Sequence, residues 1–387
     1  MSVNKNKVIM IDSWVGKDGN DYALHLCKAL KMAGIDITLV VTDDNVDDGT
    51  IDFPFLPISP SKTKSVSKYK KLFKYYNYLL NVYKLIRKEK YDVIHFQFFR
   101  RRRIESLYFL MLKLIRIKLA HTVHDVTPLN ENKLDHFFSL MVYKTADVLF
   151  VHSNSNKKAL QQLKLSEEKI KVVPHGDFDT FIPDRIITKP EARKFFGLKQ
   201  EQNIILFFGA IKEYKGLDIL LNSLSFASDK INNLTLLIAG MPDPIELKFE
   251  YTNIISDLPK EINVIFHDKF IPNVDVEKYF IASDVVLLPY RRISHSGVLH
   301  LAYSFGRPVI ATNVGDFEET IDEGKSGFVL ASNSPENLAE KIIQAFSNRP
   351  KLEEMGRYAR HLSETKYTWE KSAELMKPIY EKMIKDK

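Results

Sequence analysis

The sequence predicts an α/β protein built from two Rossmann-like, doubly wound domains in tandem. Short apolar runs rich in Val, Ile, Leu and Phe alternate with longer segments of helical spacing along the whole chain. This alternation is typical of parallel sheets covered by helices. With 387 residues and 45% hydrophobic residues, the chain can bury two ordinary cores, whereas a single core would be unusually large.

Six apolar runs predict the strands of the first domain, and six more predict those of the second. The first set is Lys7 to Ile11, Ile37 to Val41, Val93 to Gln97, Leu119 to His124, Val148 to Ser153 and Ile170 to Pro174. The second set is Ile204 to Ala210, Leu234 to Gly240, Val264 to His267, Val285 to Pro289, Val309 to Thr312 and Phe328 to Leu330. We expect the carboxyl ends of both sheets to face one cleft, where ligands of such folds bind.

The boundary between the domains is predicted in PHGDFDTFIPD, from Pro174 to Asp184, where proline and glycine interrupt every periodic pattern. We expect a hinge in this segment. Residues 1–178 are assigned to the first domain and residues 179–368 to the second. A C-terminal helix at about 369–387 is expected to complete the first domain.

Cysteine content and the N-terminus indicate a cytoplasmic protein. The single cysteine, Cys27, excludes an internal disulfide and a multi-cysteine metal site, which fits a reducing compartment. The first residues are charged and lead directly into a strand-like run, without the pattern of a signal peptide. Charged residues interrupt every apolar stretch before the roughly 18 residues that a membrane-spanning helix needs. A cytoplasmic or peripheral protein on the inner face of the membrane is expected.

Positive charge is concentrated in one part of the first domain. The chain carries a net charge of +7, but the window from Lys62 to Lys118 contains seventeen Lys or Arg and only three acids. Such a window attracts an anionic membrane or nucleic acid. Aromatic and aliphatic residues within it fall at helical spacing, which predicts an amphipathic helix from about Ser67 to Arg87. They are Tyr69, Leu72, Phe73, Tyr76, Leu80 and Tyr83.

Two features disfavour nucleic acid as the partner of this window. The aromatic residues have the spacing of a packed core, and no RNA- or DNA-binding motif accompanies them. We therefore expect the predicted helix, together with Arg100 to Arg103, to rest on an anionic membrane surface. A basic nucleic-acid-binding protein remains the non-enzymatic alternative.

A glycine turn joins a strand to a helix in the second domain. The strand Ile204 to Phe208 continues into GAIKEYKG, from Gly209 to Gly216, and then into LDILLNSL. Such a turn directs backbone N–H groups and the positive end of a helix towards an anion, while Lys212 and Lys215 add mobile positive charge. A diphosphate is the expected ligand, and a tight loop with solvated lysines is the alternative.

A second anion site is predicted after the apolar strand VVLLP. Ser296 and Gly297 stand where a helix begins, so the hydroxyl and the backbone N–H groups would hold an anionic oxygen. An ordinary helix cap is the alternative. Arg291 and Arg292 precede this helix, and each would hold phosphate or face water.

The first domain supplies a candidate histidine for hydrogen bonding or acid–base chemistry. In HTVHDVTP, from His121 to Pro128, a strand ends and a loop begins, so His124 and Asp125 would point into the cleft. The histidine would contact a bound substrate, and the carboxylate would fix its tautomer. A buried, hydrogen-bonded histidine is the alternative.

The first βα turn, SWVGKDGNDY, supplies Gly16, Gly19 and Asn20 opposite the same cleft. It lacks G-x-G-x-x-G, which disfavours a dehydrogenase. The sequence also contains no zinc pattern, no Walker loop and no G-x-S-x-G elbow, which excludes metallohydrolases and serine hydrolases. No metal ion and no bound cofactor are expected.

Taken in order, these segments resemble the family-4 retaining glycosyltransferases. The resemblance covers roughly Lys171 to Tyr380 and includes PHGDFDTF, FFGAIKEYKGLDILL, LTLLIAG, YFIASDVVLLPY, SGVLHLAYSFGRPVIATNVGDFEETI, GKSGFVL and YTWEKSAELM. The first half is similar more loosely, through Gly16 to Asn20, the His-Asp pair at 124 and 125, and TADVLFVHS. The resemblance implies a GT-B fold, a nucleotide-sugar donor held by the second domain, a glycan or lipid-linked acceptor held by the first, retention at the anomeric carbon and no obligatory metal.

The resemblance also assigns residues by their positions in the motifs. It makes Lys215 the lysine that binds donor phosphate, Glu319 the glutamate of a GG-x-x-E-like loop, and His124 the histidine near the transferred sugar. The backbone cradle for the donor consists of Ser296, Gly297 and Val298.

This sequence departs from the family pattern at two places. Ala210 stands where many members have an arginine before the lysine loop, and Lys212 is the nearest replacement for that charge. Ile293 and Leu301 stand where many members have two glutamates, the second of which contacts ribose. A subset of the family shares this pattern, so sugar transfer in surface polysaccharide or glycoconjugate synthesis is expected. A sugar phosphorylase or a sugar-nucleotide epimerase of related architecture is the alternative.

Overall fold

The computed structural model describes residues 7–12, 22–42, 54–59, 68–97, 99, 102–115, 117–126, 133–179 and 187–386. The chain divides into two compact units. One comprises Met1–Gly176 and Thr368–Lys387, and the other comprises Asp177–Tyr367. Each unit contains one parallel sheet with helices on both faces, which confirms the predicted α/β class with two doubly wound sheets.

The first unit contains a seven-stranded parallel sheet. Its strands are β1 Lys7–Ile11, β2 Asp36–Thr42, β3 Phe55–Ser59, β4 Val93–Phe96, β5 Lys118–Thr122, β6 Val148–Val151 and β7 Ile170–Val172. Their order in the sheet is β3-β2-β1-β4-β5-β6-β7. Six of them lie where the apolar runs predict strands. The sequence pattern does not predict β3, because Pro54 and Pro57 interrupt its apolar run; proline is tolerated there because β3 is an edge strand.

Helices cover both faces of this sheet. They are α1 Tyr22–Met32, α2 Lys68–Glu89, α3 Arg102–Leu114, α4 Lys133–Thr145, α5 Asn154–Gln162 and the C-terminal helix Trp369–Lys385. α2 to α5 pack on one face with Ile9 and Ile11, whereas α1 and the C-terminal helix pack on the other with Val8 and Met10. Alternate residues of β1 thus enter opposite cores, as a strand requires.

The C-terminal helix is held to the first unit by polar and aromatic contacts. The ring of Trp369 meets the ring of Tyr22 edge-on, with centroids 4.9 Å apart. Ser372 Oγ donates to the carbonyl oxygen of Pro174 at 2.8 Å, and Tyr380 Oη lies 2.5 Å from Nδ1 of the buried His95. The helix therefore seals one face of the sheet although it is distant in sequence.

The predicted amphipathic helix corresponds to α2, but its buried face is different from the expected one. The buried side chains are Tyr75, Tyr78, Leu79, Val82 and Ile86. The side chains of Tyr69, Leu72, Phe73 and Tyr76 are exposed instead. The apolar residues of α2 lie on more than one face of the helix, so the sequence is compatible with two different buried stripes. Packing against the sheet determines which stripe is buried. The core-like interpretation is therefore wrong for these four exposed residues, whereas Tyr83 packs against the core.

The second unit contains a six-stranded parallel sheet. Its strands are β8 Asn203–Phe208, β9 Leu234–Ala239, β10 Asn263–His267, β11 Val285–Leu288, β12 Val309–Thr312 and β13 Gly327–Leu330. Their order is β10-β9-β8-β11-β12-β13. Every strand that the sequence predicts for this sheet is present within two residues of its expected bounds.

Eight helices are described around this second sheet. They are α6 Lys189–Phe195, α7 Leu217–Ala227, α8 Glu246–Ser256, α9 Asn273–Ala282, α10 Gly297–Ser304, α11 Phe317–Thr320, α12 Pro335–Phe346 and α13 Arg349–Thr365. α6, α9 and α10 contribute to the core on one face, and α7, α8 and α12 to the core on the other. Within the described ranges of the chain, no helix has both the length and the apolar content needed to cross a membrane.

Candidate functional site

The strand order of the second unit creates a binding position at one edge of its sheet. β8 and β11 are neighbours, but β8 continues towards β9 on one side and β11 towards β12 on the other. Ligands of doubly wound folds bind outside the carboxyl ends of the strands at such a reversal. The segments 209–216 and 289–298 follow these two strands. They contain all the predicted residues of the donor site except Glu319.

Gly209 brings the two segments together. Its backbone φ of +94° lies in the left-handed region, which favours glycine. A β-carbon at this position would lie 3.0 Å from Lys215 Nζ and 3.5 Å from Val298 Cγ2. The missing side chain thus lets the lysine ammonium and the first turn of α10 approach the end of β8.

A short 3₁₀ helix, Glu213–Lys215, positions the lysine. It ends at Gly216, whose φ of +68° is left-handed. A β-carbon on Gly216 would lie 2.1 Å from the carbonyl oxygen of Pro289, so this turn is pressed against the chain that leaves β11. Lys215 is consequently fixed beside the reversal point by backbone contacts on both sides.

The Lys215 side chain is buried without a neutralising carboxylate. Only 8% of the residue is exposed, and its Nζ lies 5.6 Å from the centre of the Tyr290 ring. Loss of solvation, together with the nearby charge of Lys212, lowers the pKa of Lys215 to about 8. Among the described residues no carboxylate forms an ion pair with it. A buried cation of this kind creates a strong preference for an anionic ligand.

Lys212 differs from Lys215 in its surroundings. Its side chain is 44% exposed, and its Nζ lies 3.3 Å from Asp243 Oδ2. An exposed ion pair of this kind contributes little energy and is easily exchanged. The ammonium of Lys212 therefore remains available to a phosphate, and Ala210, in the position of the family's arginine, is exposed.

The first turn of α10 forms the other wall of the site. Ser296 is its N-cap residue and is 5% exposed, but its side chain makes no capping hydrogen bond to the helix. Within the described part of the chain, the N–H groups of Gly297 and Val298 donate no hydrogen bond. These unsatisfied donors and the positive end of the helix favour a phosphate oxygen.

Gly297 also makes a tight packing contact. A β-carbon there would lie 3.2 Å from Phe178 Cζ, so a larger residue would displace this ring or the helix start. The predicted cradle of Ser296, Gly297 and Val298 thus forms the N-terminus of α10 and lies beside Lys215. Whether it holds the donor stays a proposal.

Arg291, which the sequence offers as a contact to phosphate or to water, is hydrogen-bonded to protein groups in the structure. Its guanidinium donates to both carboxylate oxygens of Asp218, at 2.9 and 2.5 Å, and to the carbonyl oxygen of Glu213 at 2.7 Å. Its backbone N–H also donates to the carbonyl oxygen of Tyr214. The ion pair raises the pKa of Arg291. Arg291 therefore braces the 3₁₀ helix that carries Lys215.

A buried carboxyl group that the sequence does not single out lies near Glu319. Glu319 itself is exposed on α11. Asp316, the N-cap residue of α11, is 3% exposed. Burial raises the pKa of Asp316 to about 7, and the charge of Glu319 adds to the rise. The replacement of the second glycine of the family loop by Asp316 was the only indication in the sequence.

In the first unit, His124 is buried in a hydrogen-bonded chain. Its Nε2 lies 3.0 Å from Gln97 Oε1, and its Nδ1 lies 3.3 Å from His152 Nε2. His152 Nδ1 donates to the carbonyl oxygen of Val173 at 3.1 Å. Asp125 is exposed, so the expectation that this carboxylate fixes the tautomer of His124 is wrong. Gln97 and His152, on neighbouring strand ends, hold the ring instead.

A small polar cavity of about 110 Å³ adjoins His124 within the first unit. His121, Arg102 and Ser139 line it with Gln97 and His124. Burial lowers the pKa of His121 to about 4. The cavity offers neutral and cationic donors to a small polar group. The remaining predicted residues of this domain, Gly16, Gly19 and Asn20, lie outside the described residues.

Each of the two units matches a known protein family. Residues 188–362 match the family described as Glycosyl transferases group 1, and residues 19–176 match Glycosyltransferase Family 4. The D-inositol 3-phosphate glycosyltransferase of Corynebacterium urealyticum is 24% identical over 306 residues, which are 75% of this chain and 71% of that protein.

Solved structures have the same fold. Sucrose-phosphate synthase from Thermosynechococcus elongatus matches with a TM-score of 0.74 at 18% identity, covering 99% of this chain and 100% of that one. The HepE protein of Anabaena, solved in complex with UDP-glucose, matches with a TM-score of 0.74 at 15% identity, covering 97% of this chain and 99% of that one.

The fold and the two family matches define the chain as a glycosyltransferase with the GT-B fold. The matches cover one unit each and together span most of the sequence. The first half of the chain matches Glycosyltransferase Family 4 and the second half matches Glycosyl transferases group 1, which agrees with the resemblance that the motifs indicate.

We predict that Lys215→Met stabilises the unliganded protein at neutral pH. The folded-state pKa of about 8 lies below the ordinary value of 10.5, so the unfolded chain binds more protons between these values. Stability therefore rises with pH through this window. Removing the charge should raise the free energy of unfolding by up to about 3 kcal/mol at pH 7, and the gain should fade as pH approaches the ordinary lysine pKa.

Urea unfolding of the whole chain from pH 7 to pH 10 measures this effect. Lys212→Met is the matched control, because that lysine is exposed and should give no comparable gain. A loss of stability in Lys215→Met at pH 7 would show that the ammonium has a compensating partner.

Proposed function

We propose that this enzyme transfers a sugar from a nucleotide-diphosphate sugar to a glycan or lipid-linked acceptor, with retention at the anomeric carbon. The observation that carries the proposal is the buried, unneutralised ammonium of Lys215 beside the open N-terminus of α10. A diphosphate matches this arrangement because its oxygens would accept from both. The HepE complex with UDP-glucose supports a donor of this class.

The chemistry follows from where charge develops. As the bond between the anomeric carbon and the diphosphate oxygen breaks, negative charge builds on that oxygen. Lys215, Lys212 and the N–H groups of Gly297 and Val298 would stabilise it. The acceptor oxygen forms the new bond to the anomeric carbon on the same face, and its proton passes to the departing phosphate. This account needs no protein nucleophile and no obligatory metal ion.

The remaining residues would orient the reactants. We assign the donor to the second unit and the acceptor to the first unit, which includes the C-terminal helix. His124 would contact the transferred sugar or the acceptor hydroxyl. Its hydrogen bonds to Gln97 and His152 hold the ring, which lowers the reorganisation needed for catalysis. Glu319 would contact the donor from its exposed position on α11.

The surface of α2 supports a lipid-linked acceptor. Tyr69, Leu72, Phe73 and Tyr76 project into solvent at helical spacing, and Lys70 and Lys74 are exposed among them. Exposed aromatic groups with flanking lysines suit the boundary of an anionic membrane. We propose that this face docks reversibly on the inner surface of a membrane, where the acceptor is anchored.

Product analysis tests the proposed function. The chain is incubated with a panel of nucleotide sugars and with oligosaccharide or polyprenyl-linked acceptors, the latter in anionic or neutral vesicles. We expect a new glycoside with the anomeric configuration of the donor, formed faster on anionic vesicles. Lys215→Ala should lower kcat/KM by about 10- to 150-fold, because it removes a charge-assisted hydrogen bond. Lys351→Ala, at an exposed ion pair on α13, is the control.

Three other product patterns would contradict all or part of the proposal. Phosphate-dependent release of a sugar phosphate would indicate a phosphorylase. Conversion of the nucleotide sugar without any acceptor would indicate an epimerase. Inversion at the anomeric carbon would be compatible with sugar transfer but would contradict the proposed retaining mechanism.

His124→Ala should lower turnover by about 100-fold or more while donor affinity changes little, because the residue faces sugar or acceptor rather than the diphosphate. Turnover and donor affinity are measured separately by initial rates and by calorimetric titration with the donor. His361→Ala, on the exposed surface of α13, is the control. A parallel fall in donor affinity would refute the assignment. A collapse of the melting temperature with normal specific activity would identify a structural core histidine.

A further inference from the structure

A second cavity, of about 470 Å³, lies at the opposite edge of the same sheet of the second unit. Asp284 and Pro308 line it, and these residues directly precede β11 and β12. The donor-site segments follow β8 and β11, so the cavity and the donor site lie at opposite ends of the strands. Its volume falls in the range of roughly 300–1,000 Å³ that is usual for small-molecule sites.

The lining of this cavity is strongly basic. Five cationic side chains face two carboxylates, those of Asp284 and Glu353. The cations are Lys189, Arg307, Arg349, Arg357 and Arg360.

Carboxylates neutralise only part of this charge. Asp284 is shared between Lys189, at 2.5 Å, and the buried Arg193, which donates to both of its oxygens at 2.9 Å. Arg360 is paired with Asp179 at 2.9 Å. Lys189 and Arg360 are therefore committed to ion pairs within the protein.

The other three cations have no ion pair within the described residues. Arg307 donates to the carbonyl oxygens of Phe305 and Ser283, each at 3.1 Å, and burial lowers the pKa of its guanidinium to about 10. Arg349 donates only to neutral oxygens of residues 201–203. Arg357 is exposed on the same face of α13. Guanidinium groups with free donors bind phosphate in preference to most other anions.

The cavity is also rigidly built. A β-carbon on Gly356 would lie 2.5 Å from the carbonyl oxygen of Gly306, so α13 touches the turn that carries Arg307. Leu352, Phe305 and Pro308 add apolar wall to the basic lining. Such a wall suits the carbon skeleton of an organic ligand, which a bare phosphate ion would leave uncovered.

We propose that this cavity binds a small organic phosphate, with the phosphate held by Arg307 and Arg357 and the carbon skeleton placed against Leu352. It is a second ligand site, separate from the donor diphosphate site, and does not depend on the transfer reaction. Because the Glu353 carboxylate also lines the cavity and repels phosphate, the phosphate must bind next to the arginines and away from Glu353.

Calorimetric titration of the full chain carrying Lys215→Met tests the proposal, because that substitution weakens competing phosphate binding at the donor site. The probes are ribose 5-phosphate and inorganic phosphate. We expect one equivalent of ribose 5-phosphate to bind, more tightly than inorganic phosphate. Arg357→Gln should weaken binding by tenfold or more, as expected for loss of a charge-assisted hydrogen bond.

Lys351→Gln removes the same charge from α13 outside the cavity and should leave binding unchanged. Equal losses in Arg357→Gln and Lys351→Gln would show a diffuse surface effect and overturn the site. Unchanged binding in Arg357→Gln, or no binding of ribose 5-phosphate, would show that the arginines are structural. Equal affinity for the two probes would reject the organic part of the proposal.

Discussion

Burial of the Lys215 ammonium is the constraint on which the proposed donor site depends. An isolated buried lysine of this kind costs free energy in the unliganded protein. Close contacts at Gly209 and Gly216 hold its turn beside the end of β8. Gly209 removes the side chain that would occupy its place, and Gly216 presses the lysine turn against the chain after β11. Arg291 and Asp218 brace the same turn from outside. The site is thus preorganised for an anion before one binds.

The two units achieve preorganisation by different means. In the second unit, the ammonium of Lys215 forms no ion pair with a described carboxylate and lies beside the open N-terminus of α10. In the first unit, His124 is hydrogen-bonded to Gln97 on one side and to His152 on the other. His152 in turn donates to the carbonyl oxygen of Val173. The first arrangement favours an anionic ligand, and the second holds an imidazole ring in one orientation. This division agrees with the donor and acceptor roles proposed for the units.

The sequence predicted the sheets well because parallel strands bury both faces and are read as continuous apolar runs. It missed β3 because Pro57 breaks the run, and it chose the wrong face of α2 because apolar residues surround that helix. The sequence also placed Lys215 and Ser296 in the loops that follow two strands, and these are β8 and β11, between which the strand order reverses. The partners of His124, the bracing role of Arg291 and the burial of Asp316 depend on contacts between distant segments, so spacing alone did not reveal them.

Proton uptake on donor binding tests the central claim most directly. If a diphosphate pairs with the Lys215 ammonium, the pKa of that group rises from about 8, and the site must take up a proton near pH 8.5. UDP serves as the probe, because its diphosphate is already fully ionised at that pH and does not itself take up or release a proton. Titration in two buffers of different ionisation enthalpy should give an uptake of roughly half a proton or more per site, and none in Lys215→Met. The absence of uptake in the unmodified chain, or equal uptake in both proteins, would contradict the account.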